Sequence, residues 1–303
     1  MGFDLYFAGS QNKKTDVLLK SLQCCRLFSQ CNERNSILDY ANSDVRGKLF
    51  IDSGAFSVAH SGKEVNIDEY IQFINSRPDI DVWAQLDSIP YPVLNSQTAK
   101  KSSEESWTNY LYMMDRIEID KDKLLPIFHF GEPFDHLKRI LNTEVHGKVP
   151  DYIGVGGRHG VSSSEQDIYF DNIFKIVKSS NNPNVKIHAF GMTVLKLLEK
   201  YPFYSADSTT WLMIGVNGGI MDDEYGIINI SNRCANKKEN FLNYPQDVQE
   251  KLKEKFKKFG YTYEEMSENY VPRLLYNIKY LKNWADNYVC TYNPSQNRLR
   301  RLF

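Results

Sequence analysis

The chain has 303 residues, 42% of them hydrophobic, and its 37 basic and 38 acidic side chains leave a formal net charge of −1. That balance excludes a uniformly basic nucleic-acid binder, so any polyanion must be met by a local basic patch. No apolar run approaches the roughly 20 residues that cross a bilayer, no targeting segment is evident, and five sparse cysteines (Cys24, Cys25, Cys31, Cys234, Cys290) do not make a disulfide framework. The expectation is a cytoplasmic protein with reduced thiols, no membrane contact and no cofactor.

Apolar runs in chain order fall at 3–9, 48–52, 82–87, 124–129, 152–156, 186–191, 203–207 and 212–217. They are short and rich in branched and aromatic residues, as expected of strands buried on both faces. Helix-like stretches lie between them at 15–27, 68–76, 103–117, 133–142, 165–178 and 193–200, with Pro133 as a first helical residue and Ser163 or Ser164 as a capping hydroxyl. This alternation predicts an α/β fold, a (β/α)8 TIM barrel of about 250 residues, with its active site at the C-terminal ends of the strands. Two strand-like runs around a Gly- and Asp-rich turn at 211–231 predict a hairpin closing the barrel domain, 1–231. The remainder, 232–303, reads as a helical extension of two or three amphipathic helices with a basic, aromatic tail.

Asp52, Asp87 and Asp207 each end a predicted strand. A carboxylate in a partly dry barrel mouth can serve as nucleophile, acid/base or acceptor, whereas one alone is as readily a helix cap. Two such carboxylates would also suit a glycosidase, and at this level that alternative stays open. His136 and His146 read as surface residues, and Trp107, Tyr110 and Tyr112 as packing on an outer helix. Ser208, Thr209 and Thr210 fit either a helix cap or a phosphate site.

The segment Asp52-Ser53-Gly54-Ala55-Phe56 resembles the DSGGF/Y motif of tRNA-guanine transglycosylases, and other elements of that family follow in the same order. The resemblance runs from about Asp52 to Trp211. It implies that Asp52 lies by the reacting glycosidic bond and that Phe56 stacks on a purine-like base. It further implies that Asp87 accepts from the ring N1–H and exocyclic amine, and that Gly156 and Gly157 let the backbone approach the base. His188 and Met192 are similar to the family's HLMG segment, which covers the ring, and Asp207 takes the place of the nucleophile. His129 stands where the family has a Gln, which removes an amide's paired readout.

The family's C-terminal zinc motif, CxCxxC with a later His, has no counterpart, since only Cys234 and Cys290 lie in that region and no His follows His188. A tetrahedral site needs four such ligands, so no metal and no zinc subdomain are expected. The chain is therefore most similar to the short DNA-guanine transglycosylases of phages and bacterial DNA-modification clusters. The resemblance implies DNA as the macromolecular substrate, with tRNA second, and a free 7-deazaguanine such as 7-cyano-7-deazaguanine as the incoming base. Arg158, Arg298, Arg300 and Arg301 are the candidate phosphate contacts, with Lys237, Lys238 and the KLKEKFKK stretch behind them. A nucleoside or glycoside hydrolase remains the alternative activity, and a homodimer is left open.

Overall fold

A computed structural model describes residues 2–9, 12–55, 65–89, 95–157, 162–192, 194–234 and 238–292. Strand and helix alternate as β1 (Asp4–Ala8), α1 (Lys13–Ser21), β2 (Cys25–Ser29), α2 (Arg34–Ala41), β3 (Leu49–Asp52), α3 (Ile67–Asn75), β4 (Val82–Ala84) and α4 (Ser96–Arg116). The order continues with β5 (Leu124–Leu125), β6 (Ile127–Phe128), α5 (Phe134–Asn142), β7 (Tyr152–Gly156), α6 (Ser163–Ser179), β8 (Lys186–Phe190), α7 (Leu195–Lys200), β9 (Ser205–Ser208) and α8 (Thr210–Val216).

All pairings in this sheet are parallel, in the order β5-β4-β3-β2-β1-β9-β8-β7-β6. The two ends of that order are halves of one strand interrupted at Pro126, which has no N–H to give to a ladder. On one side Gln85 N–H donates to Leu125 O (3.0 Å), and on the other Gly154 N–H donates to Pro126 O (2.8 Å). The sheet thus closes on itself as a (β/α)8-like barrel, and every strand's C-terminal end faces the same mouth.

Alternation along the strands sorts side chains between the two surfaces. Tyr6, Leu27, Phe50, Val82, Leu125, Ile127 and Tyr152 fill the barrel interior, while Ile51 and Trp83 face outward into the layer under the helices. Gly154 is an inward position without a side chain, because a Cβ there would fall 2.4 Å from the Phe190 ring. The helices are fixed by local caps: Asn12 and Asn95 each accept from two backbone N–H groups, and Ser162 forms a capping box with Glu165.

After the barrel come an antiparallel hairpin, β10 (Gly219–Asp222) with β11 (Gly226–Asn229), and helices α9 (Gln246–Phe259), α10 (Tyr263–Glu268) and α11 (Tyr270–Asp286). Helix α11 packs against α1, α8, β1 and β10. Its buried Asn277 stitches that seam, accepting from Met221 N–H (2.9 Å) and donating to Trp211 O (3.2 Å). Hairpin and helices share their own apolar cluster around Ile220, Ile228, Phe241, Leu252 and Phe256.

The barrel's strands are not all the expected ones. Residues 25–29 form β2, although 25–27 fall in the helix-like stretch 15–27. Arg26 on it is buried because its guanidinium donates to Phe7 O and Gly9 O (3.0 Å each) and pairs with Asp16 (3.3 Å). The run 212–217, taken as a strand, belongs to α8, and the hairpin is built from the residues after it. Pro133 is the N-cap of α5 rather than its first helical residue, and Ser162 caps α6 instead of the serines after it. His136, read as surface, is buried in α5, whereas His146 sits exposed in a loop.

Candidate active site

Strand β3 delivers Asp52 to the mouth and turns immediately. The turn needs φ = +84° at Gly54, where a Cβ would lie 2.6 Å from Cys31 Sγ. Gly54 N–H donates to Asp52 Oδ2 (3.0 Å). The next side chain, Ser53, is wholly buried and donates its hydroxyl to Asp87 Oδ1 (2.9 Å), which ties the end of β3 to the segment after β4.

The other oxygen of Asp87 meets His129 Nε2 at 2.8 Å. His129 follows β6 directly, and behind it Glu132 accepts the His129 backbone N–H at Oε2 (2.8 Å) and faces ring Nδ1 with Oε1 (3.4 Å). The Glu132 side chain has no exposed surface. Burial alone would push His129 toward the neutral form, but the hydrogen bonds and charges of Asp87 and Glu132 outweigh it and raise its pKa to about 10. His129 is therefore an imidazolium at neutral pH with both ring N–H groups given to carboxylates. In this arrangement it acts on the mouth through Asp87.

Asp52 behaves oppositely. Burial and then the negative charge of Asp87 raise its pKa from 3.8 to about 7, with Asp207 adding to the shift and Gly54 N–H and His129 opposing it. Both other carboxylates act on Asp52 at once, so the three expected acids share one electrostatic environment at the barrel mouth.

On the far side of the mouth, Asp207 in β9 accepts Gly191 N–H (2.7 Å) and His188 Nε2 (3.3 Å), both at Oδ1. Oδ2 has no hydrogen-bond partner among the described residues. His188 lies beneath it with no exposed surface, its ring packed between Phe50 and Phe190 at centroid distances of 4.7 and 4.5 Å. Its Nδ1 lies 2.6 Å from Ser205 Oγ, which in turn meets the Tyr152 hydroxyl. Burial lowers the His188 pKa more than Asp207 raises it, so the ring is neutral. The hydrogen-bond pattern then assigns the proton to Nε2, donated to Asp207, with Nδ1 accepting from Ser205.

Gly156 ends β7 beside His129, whose Cδ2 would be 3.2 Å from a Cβ at that position, and Gly156 O accepts from the Tyr169 hydroxyl (3.1 Å). Gly157 is exposed next to it, and the Met192 methyl is the nearest atom, 3.8 Å from a Cβ built there. The mouth thus gathers Asp52, Ser53, Asp87, His129, Gly156, Gly157, Met192 and Asp207, with His188 below. Phe56, Arg158, Arg298, Arg300 and Arg301 lie outside the described residues.

Three supporting residues went unnoticed in the sequence. Glu132 is three positions after His129, and Ser205 precedes Asp207 by two, which on a strand means the same face. Tyr152 is an inward residue of β7 whose hydroxyl needs a partner when buried. Among the described residues no group of three or more His, Cys, Asp or Glu could hold a metal ion, and Cys234 instead donates to Asn217 O. A zinc site of the kind found in tRNA-guanine transglycosylases does not fit these residues. No known protein family matches the chain, and no curated protein does.

Proposed function

We propose that the protein is a DNA-guanine transglycosylase that exchanges guanine in DNA for a 7-substituted 7-deazaguanine. The observation that carries this reading is the division of labour among three carboxylates at one barrel mouth. Asp207 is oriented through one oxygen while the other has no hydrogen-bond partner among the described residues, Asp52 is poised to gain or lose a proton near neutral pH, and Asp87 is fixed by Ser53 on one oxygen and His129 on the other.

In the first half-reaction, Asp207 Oδ2 attacks the anomeric carbon of the target deoxyguanosine. The carbon–nitrogen glycosidic bond breaks, guanine leaves with the bonding pair, and protonated Asp52 supplies the proton that the leaving base must gain. In the second, Asp52 takes the ring N–H proton of the incoming 7-deazaguanine, whose nitrogen attacks the same carbon and releases Asp207. Asp52 thus ends as it began. The inward base edge donates from its ring N–H and exocyclic amine to Asp87. A stacked base is out of reach, so the nucleotide must be flipped or single-stranded, at a cost of a few kcal/mol.

Radiolabelled guanine and 7-cyano-7-deazaguanine incubated with the protein and either duplex DNA, single-stranded DNA or tRNA test the reading. Incorporation into DNA is expected. Label entering only tRNA replaces the substrate, and release of free base without incorporation makes the protein a hydrolase.

A further inference from the structure

We propose that Glu132 is a positioning residue for base selection: its buried carboxylate keeps His129 an imidazolium against Asp87. Asp87, held by His129 on one oxygen and by Ser53 on the other, then turns its acceptor oxygens to the mouth, which favours a base edge offering two adjacent N–H donors. The proposal rests on the base-exchange reading and names the group that sets its specificity.

The geometry commits both ring nitrogens of His129 to this pair of carboxylates. Both ring nitrogens are directed at carboxylate oxygens, Nε2 to Asp87 (2.8 Å) and Nδ1 to Glu132 (3.4 Å), and its backbone N–H is given to Glu132 as well (2.8 Å). A ring with a carboxylate oxygen at each nitrogen can donate to both only when it is protonated.

The groups around this chain do not relieve it. His136 faces Glu132 from α5, with Nε2 3.8 Å from Oε2, beyond hydrogen-bond range and without a hydrogen-bond partner among the described residues. Arg139 donates to His136 Nδ1 (3.1 Å), so the His136 proton sits on Nε2, and burial keeps that ring neutral. Tyr169, close enough to feel Glu132, gives its hydroxyl to Gly156 O. Tyr70 feels Asp52 and Asp87 but donates to Ala84 O (2.9 Å). The charge of Glu132 is thus met by His129, and that of His129 is shared with Asp87.

Asp87 spends one lone pair on Ser53 and one on His129, leaving one on each oxygen of the roughly four that a carboxylate offers. Two parallel N–H donors, the ring N–H and exocyclic amine of a 2-amino-6-oxopurine, match that pair. With the glutamate made neutral, His129 can lose its proton, and Asp87 then faces Asp52 as one of two unrelieved carboxylates. A neutral ring holds Asp87 less firmly, and the two acceptor oxygens lose the fixed orientation that matches that edge.

The experiment combines ¹⁵N-histidine NMR titration with competitive binding of guanine and of hypoxanthine, which lacks the exocyclic amine, to the wild-type protein and to Glu132→Gln. Wild type is expected to show a protonated His129 at pH 7 and guanine bound about 10- to 100-fold more tightly. Glu132→Gln should titrate His129 several units lower and lose about tenfold of that preference, while Glu132→Asp restores part of both. A neutral His129 in the wild type, or an unchanged guanine preference in Glu132→Gln, overturns the proposal while leaving base exchange intact. Absence of binding of either purine to wild type overturns base exchange and the selection role together. The wild-type titration decides the charge even where the glutamine variant does not fold.

Discussion

The two sides of the barrel mouth each pair a histidine with an aspartate, and they reach opposite charge states. His129 sits between two carboxylates, Asp87 and Glu132, and its pKa is raised to about 10. His188 meets one carboxylate, Asp207, and has a serine hydroxyl on its other nitrogen, and burial leaves it neutral. Both rings are largely removed from water, so desolvation alone does not separate them; the count of carboxylates does. A neutral ring can orient a nucleophile without cancelling its charge. A charged ring donates to a carboxylate on each side and so fixes an acceptor in place. On the base-exchange reading, the same residue pair suits attack on one side and recognition on the other.

The sharpest way to break this contrast is at Asp207. On the base-exchange reading, Asp207→Asn lowers single-turnover incorporation of labelled base into DNA by about 10⁴-fold or more and removes any covalent protein–DNA species on a denaturing gel. Full exchange by that variant would move the nucleophile elsewhere. Asp52 comes next. Asp52→Asn is expected to cost about 10²- to 10⁴-fold, the usual contribution of a positioned acid/base. In the wild type the base-release rate should fall about tenfold per pH unit above about 7, as Asp52 loses the proton it must donate. A rate flat from pH 6 to 9 would take Asp52 out of proton transfer.

Smaller effects sharpen the neutral side. Ser205→Ala removes the hydroxyl that fixes the His188 tautomer, and a loss of about 10- to 100-fold in kcat with little change in KM for DNA is expected. The histidine ¹⁵N spectrum should then show both tautomers of His188 where the wild type shows one. A spectrum unchanged by the substitution would mean that Asp207 alone sets the tautomer.

The barrel was legible in the sequence because parallel strands buried on both faces are short apolar runs, and alternation with helices brings their ends together. Two segments depart from the sequence pattern for opposite reasons. Residues 25–29 carry Arg26, and groups distant in sequence, the carbonyls of Phe7 and Gly9 and the carboxylate of Asp16, make its burial tolerable. Residues 212–217 are apolar enough for a strand, but a seven-residue helix packed under α11 needs the same composition. Asp52, Asp87 and Asp207 stood out because carboxylates at strand ends are few. Glu132 did not, since nothing local in the GEP sequence after His129 distinguishes a solvated glutamate from one folded back onto that histidine. Ser205 and Tyr152 were hidden likewise: their role depends on pairing between β7, β8 and β9, which no single segment encodes.

The smallest expected effect concerns stability, and it tests the origin of the Asp52 shift without any substrate. A carboxyl with a pKa of 3.8 when free and about 7 in the folded protein binds more protons folded than unfolded across that window. Stability contributed by that group is therefore greatest at the acid end and declines as pH rises from about 4 to 7. His129 acts in the same sense over a higher window: its contribution is intact below 6.5 and disappears as pH rises through about 10. The urea midpoint of the wild type should fall between pH 4.5 and 7.5, and in Asp52→Asn that fall should shrink while the drop toward pH 10 persists. An unchanged slope in the asparagine variant would mean that Asp52 is well solvated in the folded chain, and its place as the proton carrier beside two other carboxylates would lose its physical basis.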